Sequence, residues 1–164
     1  MRGAFDHVLA TEVATTLPAV VGDRRGELSP YLQEMFAGGG SFEPSWPRYF
    51  DASARLARYE QAADAWFAEH PVAVCPAAPE VAPPLGGAWS AEIDGVPTNP
   101  GGKLTLATYA NALGLPAVCV PVMRAEGSGL PVGVQLIGAR GSERTLLALA
   151  SELESLGGWL RPSD

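Results

Sequence analysis

The sequence predicts an α/β protein, a small sheet flanked by helices, and three observations carry that prediction. Residues 117–122 form an unbroken apolar run containing β-branched valines, which suits a strand covered on both faces. Residues 130–138 alternate instead, with Val132, Val134 and Leu136 on one side and Gly133, Gln135 and Ile137 on the other, the period of a strand. Two longer stretches, 46–69 and 142–156, repeat their apolar residues at helical spacing.

The elements follow in order. Residues 4–17 carry a helical stripe of Phe5, Val8, Leu9, Val13 and Leu17, and Pro18 is expected to end it. A charged, glycine-flanked turn follows over 20–26. Ser29 and Pro30 then fit the N-cap and first position of a short helix over 30–37. Gly38, Gly39 and Gly40 read as a connector before the long helix of 46–69. There Tyr49, Phe50, Leu56, Tyr59, Ala63, Trp66 and Phe67 form one broad apolar face. His70 and Pro71 break that helix and launch a short buried strand over 72–75.

Residues 76–100 are so rich in proline and glycine that no regular element is expected to persist, and a loop of that length in a compact domain is usually functional or mobile. A further helix ends where Gly114 can take a left-handed C′ conformation and Pro116 forbids continuation. Pro121 is expected to close the strand that follows, because proline donates nothing to a ladder. The charged, glycine-bearing residues 124–129 suit a hairpin loop. Ser142 fits the N-cap of the last helix, with Glu143 in its positive first turn, and Gly157 and Gly158 end it.

Composition narrows the function. The chain has 164 residues, enough for one domain over 1–164 that buries roughly 70% of its unfolded surface. A hydrophobic content of 47% supports a folded core, and a net charge of −7 without any basic cluster makes nucleic acid a poor partner. No apolar run approaches the ~20 residues that span a bilayer, and the N-terminus lacks the apolar core of a secretion signal. A cytoplasmic protein without membrane contact is the expectation. Cys75 and Cys119 sit in apolar strand-like runs and are expected to be buried, reduced and inert, although spacing alone leaves a disulfide open. With His7 and His70 they show neither CxxC nor HxxxH spacing, so no metal or other cofactor is expected.

The run from Asn111 through Gly114, Pro116 and Ala117, then Val120 and Pro121, then Gly129 to Gly138, followed by a helix from Glu143 to Glu154, resembles the C-terminal third of amidase signature family enzymes. The likeness extends back to about Leu28. It implies part of an αβα sandwich, a small mixed sheet flanked by helices, from a fold that hydrolyses amide bonds with a Ser, cis-Ser, Lys triad. It also implies that those three residues belong to the N-terminal half of such enzymes, and their absence from this chain is the expectation. In the family the strand matching 72–75 ends in a Pro-Thr pair beside the substrate channel, where this chain has Pro76 and Ala77. The segment matching 76–100 wraps one side of the entrance, which makes Trp89 and Ile93 candidate linings, unless Trp89 simply anchors the loop. Glutamine-using members carry an acidic residue seven positions before the one matching Asn111. Leu104 stands there, pointing to an uncharged or apolar amide.

The remaining residues agree. Lys103 is the only lysine, at a helix start after Gly101 and Gly102, a wet setting unlike the desolvated base such chemistry needs. The Gly38–Ser41 segment holds one serine where two adjacent ones are required. The sequence therefore reads as the C-terminal portion of an amidase, acting on a neutral or apolar amide if an N-terminal half completes it. The alternative is a non-catalytic assembly or binding subunit, a split-amidase partner or remnant, or a chain that self-associates through an open sheet. An independent enzyme using Cys75 or Cys119 with His70 as base is the third reading.

Overall fold

The computed structural model describes residues 1–30, 32–33, 44–85, 92–93, 95–97 and 105–157, grouped in two compact units, Met1–Tyr59 and Glu60–Asp164. In the first unit, helix α1 (Arg2–Val21) leads into a 3-10 turn over Gly22–Glu27. Pro18 lies inside α1 rather than ending it. A proline costs a helix the bond its own N–H would have made, but its fixed φ is helical, so a final turn can follow it. The Gly22 N–H closes that turn on the Pro18 carbonyl. Thr11 is buried on α1, its hydroxyl donating to the His7 carbonyl at 2.8 Å. Ser29 caps as expected, its Oγ accepting the Leu32 N–H at 3.4 Å. The connector at Gly38, Gly39 and Gly40 lies outside the described residues.

Helix α2 (Trp46–Glu69) spans the predicted range, yet its buried side is narrower than the expected aromatic face. Ala52, Leu56 and Phe67 are buried, whereas Phe50 is 65% exposed and Tyr59 and Trp66 are 44% exposed. Bulk and position differ here: the small Ala52 lies on the buried line with Leu56 one turn on, and Phe50 falls off it. The Tyr49 hydroxyl donates to the Glu12 carboxylate at 2.9 Å, tying α2 to α1 within the first unit.

The second unit holds a three-stranded sheet of β1 (Val72–Pro76), β4 (Ala117–Arg124) and β5 (Pro131–Gly138), in the order β1-β5-β4 and antiparallel at both seams. Inside the stretch expected to hold no regular element, β2 (Glu92–Ile93) and β3 (Val96–Pro97) pair as a short two-stranded hairpin. Gly95, at φ +77°, supplies the left-handed turn residue that makes so short a hairpin feasible.

Strand β4 also departs from expectation. It runs through Pro121, with a bulge between Pro121 and Met123, and only one of its faces is covered: Val120 is buried while Ala117 and Cys119, on the other face, are exposed. The ladder explains both facts. The Gly138 N–H donates to the Pro116 carbonyl, so Pro116, Val118 and Val120 turn their backbone groups toward β5 while Ala117, Cys119 and Pro121 turn theirs away. Among the described residues β4 is an edge strand, so Pro121 occupies a slot where no N–H is needed.

Helices cover the sheet on opposite faces. Helix α4 (Glu143–Gly157) presses Leu146 and Ala150 onto Val120 and Leu136, with Val72, Val118, Val122 and Val134 around them. On the other face Phe67 of α2 and Ala110 of helix α3 (Thr105–Leu113) meet Ile137, flanked by Ala73 and Cys75. Helix α3 ends as its glycine demands: Gly114 stands at φ +59° and the Leu115 N–H returns to the Ala110 carbonyl at 2.9 Å, a Schellman closure that turns Leu115 onto the Phe67 cluster. Arg140 locks the same corner, donating to the Leu113 carbonyl at 2.6 Å and to the Asp64 carboxylate. These contacts make an α/β fold with helices flanking a small sheet. Among the described residues, no helix is long and apolar enough to cross a membrane.

The tightest fit lies where β5 meets α4. A Cβ at Gly138 would collide with Ser142 Oγ and come within 3.2 Å of Leu146 Cδ2. Ser142 occupies the expected N-cap position, its carbonyl taking the Leu146 N–H at 3.0 Å, but its buried hydroxyl finds no hydrogen-bond partner among the described residues. Gly138→Ala should therefore lower stability by about 1–3 kcal/mol. In Gly138→Ala with Ser142→Ala the loss should be smaller than the sum of the two single effects. Urea unfolding of the three variants measures this, and strict additivity would show that the Ser142 hydroxyl is not the obstacle.

Candidate functional site

The candidate site is built on the end of β1 and the face of β5 beneath it. Ala77 follows directly on β1 and prolongs its ladder, its N–H donating to the Gly133 carbonyl at 3.0 Å. A Cβ at Gly133 would stand 3.3 Å from the Ala77 methyl, so the two residues cross closely where the chain leaves the sheet. Ala77 is half-buried, and residues after it run irregularly through 78–85. Trp89 and Leu104, the other two residues singled out from the sequence, lie outside the described residues, as does Lys103. Ile93 lies in the β2–β3 hairpin.

Next to Ala77 the sheet carries a row that sequence reasoning did not assemble. Cys75 and Cys119 both register with Gln135, so two thiols flank one amide on the same face of the sheet. Gln135 is only 5% exposed, and its Oε1 accepts a bond from the Cys75 thiol at 3.6 Å. A polar residue inside an alternating apolar strand was the available signal, because a buried amide needs partners. Two strand spacings separate the cysteine backbones, about 10 Å, which is beyond the reach of a disulfide. Both thiols are free.

The expectation that both cysteines are buried needs correction, because Cys119 is exposed and Cys75 is half-buried. Cys119 lies on the face of β4 opposite α4, and among the described residues β4 is an edge, with no further strand beside it. The Cys75 thiol is pushed above its ordinary pKa, first by burial and then by the neighbouring Cys119 thiol. A raised pKa means less thiolate at neutral pH, the opposite of an activated nucleophile. His70 does not help: its ring stacks on Trp66 at 4.3 Å between centroids and its Nδ1 lies 3.0 Å from the Trp66 carbonyl. The geometry gives the cysteine reading no support.

Cys119 should thus alkylate at least tenfold faster than Cys75 at pH 8, as mass spectrometry after brief iodoacetamide treatment would reveal. The raised Cys75 pKa also sets a sign. The stability it confers is complete below the thiol's unfolded pKa, about 8.5, and declines as pH rises through the higher folded value. The melting temperature of the chain should fall more steeply above pH 8.5 than that of Cys75→Ser. Equal slopes would mean that the Cys75 thiol is not held protonated by the fold.

Comparison with known proteins places this geometry. The family model described as Amidase matches residues 14–147. The 1-carboxybiuret hydrolase subunit AtzE of Pseudomonas sp. (strain ADP) is 29% identical over 136 residues, covering 82% of this chain and 29% of that protein. A fatty acid amide hydrolase of Medicago truncatula is 49% identical over 49 residues, which is 30% of this chain and 8% of the relative. Among solved structures, a chain from a vestigial protein complex bearing on the origins of an s-triazine catabolic enzyme superposes with a TM-score of 0.76 at 27% identity, over 94% of this chain and 34% of that one. An amidase crystal structure gives a TM-score of 0.74 at 26% identity, over 90% of this chain and 33% of its own. The chain thus spans about a third, or less, of the proteins it matches. With a family match across most of its length and the same backbone arrangement in solved amidases, the chain belongs to the amidase family.

Proposed function

We propose that this chain supplies the C-terminal portion of an amide hydrolase and acts on a neutral or apolar amide when an N-terminal portion completes the fold. The observation that carries the reading is the superposition of nearly the whole chain on a third of solved amidase-family chains. The sequence contains no two adjacent serines and a single lysine, Lys103, so the nucleophile, its serine partner and the base would come from the N-terminal portion. There a serine hydroxyl attacks the amide carbonyl, its proton passing through the second serine and the lysine to the leaving amine. Backbone N–H groups hold the oxyanion, and water then hydrolyses the acyl-enzyme.

This chain's share is the substrate channel. Ala77, at the end of β1, offers a methyl where a hydroxyl would favour a polar substrate. Trp89 would line the wall formed by residues 76–100. Leu104 would face the part of the substrate that an acidic residue meets in glutamine-using relatives, and an apolar side chain there disfavours an ammonium group. A non-catalytic role as an assembly subunit is the second reading, and the 64% exposure of Val74 in the middle of β1 favours it, since a β-branched apolar residue so placed suits a covering partner.

The test joins an N-terminal amidase segment, bearing adjacent serines and a lysine, ahead of Met1. Hydrolysis of neutral aliphatic and aryl amides is then compared with that of glutamine. The chain alone should turn over none of them. The joined molecule should prefer neutral amides, and Leu104→Asp should lower kcat/KM for them by roughly 10- to 100-fold, or about 1.4–2.7 kcal/mol. Replacing both Cys75 and Cys119 by serine should leave turnover unchanged. Equal rates on glutamine and neutral amides before and after Leu104→Asp would sink the substrate assignment.

A further inference from the structure

Resting on the reading that an N-terminal portion completes the fold, we infer that the outer edge of β1 is the seam at which that portion adds a strand to the sheet. Among the described residues the sheet ends at β1 on one side and β4 on the other. The two edges differ chemically.

Strand β4 carries three devices that discourage pairing. Pro121 stands mid-strand in an outward slot and offers no donor there. A bulge follows it, and the strand ends at the charged Arg124. Outward donors remain only at Ala117 and Cys119 and at residues past the bulge.

Strand β1 has none of these inside it. The Ala77 N–H points to Gly133, so Cys75 and Ala73 also turn their backbone groups toward β5, leaving Val72 and Val74 to turn theirs outward. The whole run Val72, Ala73, Val74, Cys75 is uncharged and apolar, with its prolines at 71 and 76, outside or at the last position. A strand laid against it would meet two complete donor–acceptor pairs and the Pro76 carbonyl.

The side chains point the same way. On the face that α4 covers over β4 and β5, Val74 is left 64% exposed although its cross-strand partner Leu136 is 2% exposed. The apolar layer under α4 therefore continues past the edge of the helix onto β1. An occupant that pairs with the backbone of β1 and covers Val74 would complete it. The portion that constitutes roughly two thirds of the matched amidase-family chains is of the right kind, because its end of the sheet must abut this one for a single channel to form at Ala77.

Hydrogen–deuterium exchange on the chain alone and on the joined molecule tests the seam, with turnover of neutral amides followed on the same samples. In the chain alone the Val72 and Val74 amides should exchange fast while Ala73 and Cys75 are protected. In the joined molecule Val72 and Val74 should gain at least tenfold protection, with Ala117 and Cys119 unchanged. Turnover without protection at Val72 and Val74 overturns the seam and leaves the amidase reading standing, whether or not Ala117 and Cys119 gain protection. Protection at Val72 and Val74 without turnover supports the seam and counts against the reading's chemistry. Neither protection nor turnover overturns both. A dimer of the chain alone in sedimentation, with Val72 and Val74 already protected, makes a second copy the occupant and overturns the choice made here.

Discussion

The second unit depends on β5 being sandwiched in every direction. Among the described residues it alone is paired along both edges, with β1 on one side and β4 on the other, and it alone supplies a buried side chain to both apolar clusters. Leu136 belongs to the layer under α4 and Ile137 to the layer under α2 and α3. Because successive strand residues face opposite ways, a one-residue slip of β5 would exchange those two layers at once. Every other strand in the sheet can be understood from its relation to this one.

Much of that arrangement was readable. The alternation of Val132, Val134 and Leu136 against Gly133, Gln135 and Ile137 states which residues go to which layer, and the hairpin to β4 is written in the polar residues between them. Gly114 announced its own helix end, since a left-handed residue costs glycine least. Two departures from expectation share one cause. Pro18 and Pro121 both read as terminators, yet proline ends an element only where its missing N–H or its ring conflicts with the local partner. In α1 a last turn could form after it, and in β4 the missing donor faces away from the sheet. Which way a backbone group faces follows from strand order, and strand order is not a property of the local sequence.

The same limit applies to the candidate site. Cys75, Gln135 and Cys119 are far apart along the chain, and only the register of three strands sets them in one row. The exposure of Cys119 follows from the place of β4 at the edge of the described sheet, which no local pattern encodes. Ala77, Trp89 and Leu104 are candidates through likeness to a family alone, because a site residue outside a repeating pattern follows no periodicity that the sequence can reveal.

The order of strands has a kinetic side. Strands β4 and β5 are joined by a short turn in which Arg124 donates to the Gly129 carbonyl at 2.9 Å, so their pairing is local and forms on the fast timescale of hairpins. The partnership of β1 with β5 spans a sequence separation of 60 at the Cys75–Gln135 contact. Closing so long a connection carries a large entropic cost, but that cost changes little with further length, by about 0.6 kcal/mol per doubling. Evolution could therefore lengthen or rewrite residues 76–100 at small expense to folding, which leaves that stretch freer to diverge than the strands whose pairing it connects.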